Sequence, residues 1–139
     1  MDTFKFANSK DIRCQNLTEM ARVGFMKAEP EKKKGSSEYE VYVNTYDNGD
    51  IPHFHLRYAQ DGSEFHSCIE FNDAKYFEHE GKEDKLNKNF RKSLIEFFNK
   101  PAENFDCTNW ELALRLWNTN NRRPKVDPYL EMPDYTKLK

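Results

Sequence analysis

Two dipeptides, Asn48-Gly49 and Asp61-Gly62, punctuate the middle of the chain, each flanked by segments that alternate polar and apolar residues. A type I′ turn needs positive φ at both central positions, and these dipeptides accept it with little strain, so two-residue hairpin loops are predicted at both places. The chain then runs as an antiparallel meander through 38–46, 51–60 and 63–71, with a fourth strand expected near Lys75–Glu78. Loop length sets register. Two-residue loops put Glu40 opposite Arg57, Tyr42 opposite His55 and Asn44 opposite His53. In the second hairpin they put Arg57 opposite His66, His55 opposite Cys68 and His53 opposite Glu70.

Side chains alternate faces along a strand. One face therefore collects Tyr39, Val41, Val43, Phe54, Leu56, Tyr58, Phe65, Ile69 and Phe71. The other collects Glu40, Tyr42, Asn44, His53, His55, Arg57, Glu64, His66, Cys68 and Glu70. A slip of one residue in either hairpin would mix the two sets, so their separation supports the register.

The period changes after the sheet. Leu86, Phe90, Leu94, Phe97 and Phe98 recur at helical spacing and Pro101 follows, which predicts a helix over about 86–99. Thr108-Asn109-Trp110-Glu111 has the form of a capping box and opens a second helix to about Asn120, with Trp110, Ala113, Leu114 and Trp117 on one stripe. Three prolines beyond Arg122 forbid a continuous helix. The tail's Tyr129, Leu130, Met132, Tyr135 and Leu138 predict an extended strip docked on the domain or on a partner. The stretch before Ala28 is ambiguous, combining a short helical turn at Leu17–Ala21 with an edge strand at Arg22–Ala28.

The expected fold is α+β, a three- or four-stranded antiparallel meander with two C-terminal helices on its apolar face. At 139 residues it is one domain. Residues 1–37 form an N-terminal extension and charged loop, 38–80 the sheet, 86–121 the helices and 122–139 the tail. Hydrophobic residues make up only 37% of the chain. Eleven Phe, seven Tyr and two Trp offset that deficit, because each aromatic buries a large area.

A net charge of −2 argues against bulk nucleic-acid binding. The basic runs Lys32–Lys34 and Arg122–Lys125 read as solvated loops. Cys14, Cys68 and Cys107 form neither a disulfide framework nor a zinc-finger spacing. With no apolar leader and no run long enough to span a bilayer, a cytoplasmic protein without membrane contact is expected.

Three of the four histidines fall on the polar face, and three readings of it stay open. It can be a solvated sheet face. It can hold a metal, zinc or iron, on His53, His55, Cys68 and Glu70, although no cofactor is required. It can do metal-free acid–base work on a phosphodiester, with His55 and His66 as base and acid, Arg57 clamping phosphate and Glu40 orienting. As recognition contacts, the same face offers His53, His55, Arg57, Glu64 and His66. Cys14 and Cys107 read as packed thiols, and His79 as exposed.

The string Asn48-Gly49-Asp50-Ile51-Pro52-His53-Phe54-His55-Leu56-Arg57 resembles the Pro-His-x-His hairpin of a bacterial family, domain-of-unknown-function family 4160. The likeness is clearest over residues 38–71 and weaker around Trp110 and Trp117; this chain is longer than the short members. Members are small, often lie on mobile or phage-like DNA and are frequently encoded beside another small protein. The resemblance implies an accessory or toxin–antitoxin-like role with a protein partner, and gives the two histidines importance without a role. The expectation is an accessory or interaction protein. The alternative is a histidine-based or metal-assisted phosphodiesterase or nuclease.

Overall fold

The computed structural model describes residues 20–28, 37–44, 50–59, 65–78, 83–121 and 124–139. Four strands, β1 (Met20–Ala28), β2 (Ser37–Asn44), β3 (His53–Tyr58) and β4 (His66–Glu70), form one antiparallel sheet in chain order. Helices α1 (Lys88–Asn99) and α2 (Asn109–Asn120) follow, then a short 3-10 helix at Tyr135–Lys137. The α+β architecture is the expected one. Both hairpin turns lie outside the described residues, but their ladders carry the derived register: Glu40 pairs with Arg57, Tyr42 with His55, His55 with Cys68 and His53 with Glu70.

The fourth strand is the edge strand expected at Arg22–Ala28, which begins two residues earlier as β1, while the other candidate, Lys75–Glu78, contributes a single bridge between Ile69 and Tyr76. β1 also starts at Met20, so the described end of the predicted Leu17–Ala21 turn is strand.

The apolar face lies under the helices. Phe90 meets Tyr39 (4.8 Å between ring centroids) and Phe65 (5.2 Å), while Phe98 stands edge-on to Phe54 (5.0 Å) and Trp110 (5.1 Å). Helix α1 begins where the Asn87 side chain accepts from the Phe90 backbone N–H. Helix α2 begins with the predicted capping box: Thr108 accepts from the Glu111 N–H, and Glu111 accepts from the Thr108 N–H. That second bond holds the Glu111 carboxyl below its ordinary pKa. Asn109 donates to the Phe97 carbonyl and ties the two helices together.

β1 carries a bulge. Arg22 pairs with Tyr42 but Gly24 with Val41, so Val23 is the extra residue. A Cβ on Gly24 would sit 3.1 Å from the Phe97 ring, closer than a side chain normally approaches, and this is why the helix can lie so near the strand.

Beyond β4 the chain returns along its outer edge. Phe77 donates to the Cys68 carbonyl, Asp84 to the His66 carbonyl, and Glu70 to the Lys75 carbonyl. The C-terminal residues extend this edge, with Tyr76 N–H donating to the Lys139 carbonyl and Lys139 N–H to Ala74. The tail docks as expected: buried Tyr135 donates to the Glu70 carbonyl, and the indoles of Trp110 and Trp117 donate to Leu130 and Pro124. Tyr129 is the exception, at 90% exposure.

Replacing Phe98 with Ala should cost about 3–5 kcal/mol, because it empties a site shared by both helices and the sheet. Thr108→Ala should cost only about 1 kcal/mol, the usual worth of a cap. Urea denaturation of the two variants tests the order, and a cap loss as large as the core loss would overturn it.

Candidate functional site

The polar face is not a solvated surface. Glu40, Tyr42, His53, His55, Cys68 and Glu70 are all buried, and Arg57 and His66 are half-buried. The register was legible; the burial was not. Polar groups taken out of water must bond one another or lose several kcal/mol. Their partners resolve into three clusters.

The first is a charge cluster. The Glu40 side chain is 2% exposed and is held by two arginines. Arg22 Nε donates to Oε2 at 2.6 Å, and Arg57 Nε donates to Oε1 at 2.7 Å with its Nη2 also 2.7 Å away. The β1 bulge makes the first bond possible. The extra residue puts Arg22 and Phe25, three apart, on the same face, where the guanidinium lies over the Phe25 ring.

The second is an aromatic slot around His53. Its Nδ1–H donates to the Ile51 carbonyl at 2.7 Å. Phe77 stacks on it at 4.1 Å, and Trp117 lies 5.4 Å away. Its cross-strand partner Glu70 has a carboxyl pKa raised mainly by burial; Asp73 raises it further, while Lys75 and His53 lower it.

The third cluster joins His55, His66 and Cys68. His55 Nδ1 is 3.0 Å from His66 Nε2 and 3.1 Å from Cys68 Sγ, and Sγ is 3.6 Å from His66 Nε2. His55 is further held by Tyr42, stacked at 4.9 Å, and by Asn44, whose amide meets Nε2 at 3.2 Å. His66 is fixed through its backbone: its N–H donates to the Asp84 carboxylate, and its carbonyl accepts from the Asp84 N–H.

The sequence-derived sets are therefore redistributed. Of the proposed ligands His53, His55, Cys68 and Glu70, the second and third join His66 in one triangle, and the others stand outside it. Of the acid–base set, His55 and His66 are in contact, whereas Glu40 is bonded to Arg57 rather than to an imidazole. Among the recognition residues His53 and His55 are buried, and Glu64 lies outside the described residues, as do Cys14, His79 and Lys32–Lys34. Cys107 is half-buried, and burial raises its thiol pKa.

Sequence reasoning missed Arg22, Asp84 and Phe77. Arg22 alone left a trace, the broken alternation of Arg22-Val23-Gly24-Phe25. The predicted register sets Asn44 opposite His53, whereas its side chain meets His55. Among the described residues, no helix is long and apolar enough to cross a membrane.

No family model, curated protein or solved structure matches this chain.

The two arginines on Glu40 differ in exposure, 31% for the Arg57 side chain and 56% for Arg22. Arg57→Ala should cost about 1.5–2 kcal/mol, since it strips two charge-assisted bonds from a buried carboxylate. Arg22→Ala should cost less than about 1 kcal/mol because solvent screens that bond. Equal losses on urea denaturation would mean that Glu40 is held symmetrically.

Proposed function

We propose that this protein is a transition-metal protein whose centre is the triangle of His55 Nδ1, His66 Nε2 and Cys68 Sγ, with zinc as the ion its ligands suit. The carrying observation is the size of that triangle. Zinc–nitrogen bonds of about 2.0–2.1 Å and zinc–sulfur bonds of about 2.3 Å put tetrahedral donors about 3.3 Å (N···N) and 3.6 Å (N···S) apart. The edges here are 3.0, 3.1 and 3.6 Å, so the three atoms need only a few tenths of an ångström to spread around an ion.

Two imidazoles and a thiolate are borderline-soft donors, the combination zinc accepts in preference to magnesium or calcium. Three protein ligands are also the number found in catalytic rather than structural zinc sites, which keep a fourth position open. A metal held in this way supplies a Lewis acid. The half-buried His66 marks the side from which a reactant would approach. Asn44 has the role that outer-shell partners have in such centres. Turned so that its carbonyl faces His55, it accepts the Nε2 proton and leaves the Nδ1 lone pair for the ion.

A metal-assisted hydrolase therefore draws more support from the geometry than an interaction protein acting through this face. Of the recognition residues, His53 and His55 are buried and Arg57 and His66 are half-buried, which leaves a partner little of that set to meet.

Protein purified without a histidine tag and stripped with a chelator should bind close to one equivalent of zinc. At free zinc roughly 100 times Kd, binding should add about 2.7 kcal/mol of stability, visible as a rise in Tm. Cobalt in place of zinc should give a thiolate-to-metal charge-transfer band. His66→Ala and Cys68→Ser should abolish the band and the Tm rise, while His53→Phe keeps both. The reverse pattern, or a wild-type protein indifferent to zinc, would end this reading.

A further inference from the structure

We infer that Arg22 and Arg57, fixed on either side of Glu40, form a subsite for a phosphoryl oxyanion next to the His55–His66–Cys68 triangle. The role in turnover rests on the metal reading; the binding of the anion does not.

The argument begins with charge. One buried carboxylate faces two guanidiniums, so the cluster keeps a net positive charge inside a chain whose total is −2. If the cluster existed only to neutralise Glu40, Arg57 alone would do so, with two nitrogens on one carboxylate oxygen.

Hydrogen-bond capacity gives the second step. A guanidinium has five N–H donors. Arg22 commits Nε to Glu40, and Arg57 commits Nε and Nη2. Among the described residues neither has another hydrogen-bond acceptor, so the Nη1 groups of both and Nη2 of Arg22 remain available. Both side chains are partly exposed, and Glu40 fixes each by its Nε. Cation–π contacts with Phe25 (4.5 Å) and Tyr42 (5.1 Å) restrain the guanidinium planes further. Donor pairs held on two neighbouring guanidiniums match the several oxygens of a phosphoryl group better than the two of a carboxylate.

Position is the third step. Arg57 is the cross-strand partner of His66, and Tyr42 lies between Arg57 and His55 through contacts on both. An anion at the arginines thus lies on the same face of the sheet as the proposed metal, in the neighbouring row of side chains. A phosphate ester is the substrate class this pairing fits.

Inorganic phosphate is the probe, titrated into chelator-stripped full-length protein by calorimetry and by 31P line broadening, with chloride as control. The expected Kd is on the order of millimolar or tighter. Arg22→Ala, which should fold normally, and Arg57→Lys, which keeps charge but loses the fork, should each weaken binding at least about tenfold, or ~1.4 kcal/mol. A dinucleotide run beside inorganic phosphate separates the sources: tighter dinucleotide binding identifies a diester substrate, and tighter phosphate binding a monoester or the free ion. Phosphate binding that is absent, or unchanged in both variants, overturns the subsite. Zinc and phosphate should also tighten each other's binding by one common factor. Phosphate bound through the arginines in a protein that never takes zinc would sink the metal reading and leave the subsite standing. Zinc and phosphate bound without coupling would overturn the claim that the two serve one centre.

Discussion

The central strand β3 has a hydrogen-bonded neighbour on each edge, and five of its six residues are buried, so both of its faces must find partners inside the protein. On the helix side the requirement is met by size: Phe54 packs against Phe98 of α1, Phe71 and Tyr135, and Leu56 is fully buried. On the other side it is met by bonds. His53 is bonded to a carbonyl and stacked on Phe77, while His55 touches Asn44, Tyr42, His66 and Cys68. Arg57 holds Glu40. Each polar group is tolerable because its neighbour is also polar and fixed, and such a network resists piecemeal change. The positions of the His55–His66–Cys68 triangle and of the arginine pair follow from satisfying these groups.

Much of this could be read from residues alone, because the deciding signals are local. Asn48-Gly49 and Asp61-Gly62 predict two-residue loops, those loops predict the register, and the ladders carry that register. The Thr108–Glu111 box set the start of α2 to the residue. Burial of the polar face escaped the sequence because alternation says only that one face is apolar. It does not say that the other is open. The groups around the polar face come from far along the chain: Phe77 and Asp84 from the return past β4, and Arg22 from a strand with a broken alternation. A bulge inserts one residue and restarts the pattern, so the hydrophobic period of β1 is no guide to which side chain meets Glu40.

The same limit explains the mixed metal set. His53, His55 and His66 lie on one face and are indistinguishable by period. What separates them is orientation. His53 has a carbonyl two residues back that captures its Nδ1, and a phenyl ring that occupies its face. His66 opens β4, where Asp84 clamps its backbone and leaves its Nε2 directed at Nδ1 of His55. A carboxylate eighteen residues away in sequence, as Asp84 is from His66, cannot be found by spacing.

The triangle itself poses a question of proton count. With the Asn44 amide donating to Nε2 of His55, the hydrogen of that ring sits on Nδ1, between His66 Nε2 and Cys68 Sγ, and serves both as acceptors. Three nucleophilic atoms then share one ring proton and one thiol proton within contacts of 3.0–3.6 Å. A cation of charge two would take all three lone pairs once the thiol proton leaves to solvent and the His55 ring proton passes to Nε2, and the only rearrangement it would ask of the orienting residue is a half-turn of the Asn44 amide. Side-chain amides make that turn without changing shape, since oxygen and nitrogen are nearly the same size. Asparagine is in this sense the residue type that fits beside His55 in both states. An aspartate would hold only the Nε2–H tautomer, and an aliphatic side chain would hold neither.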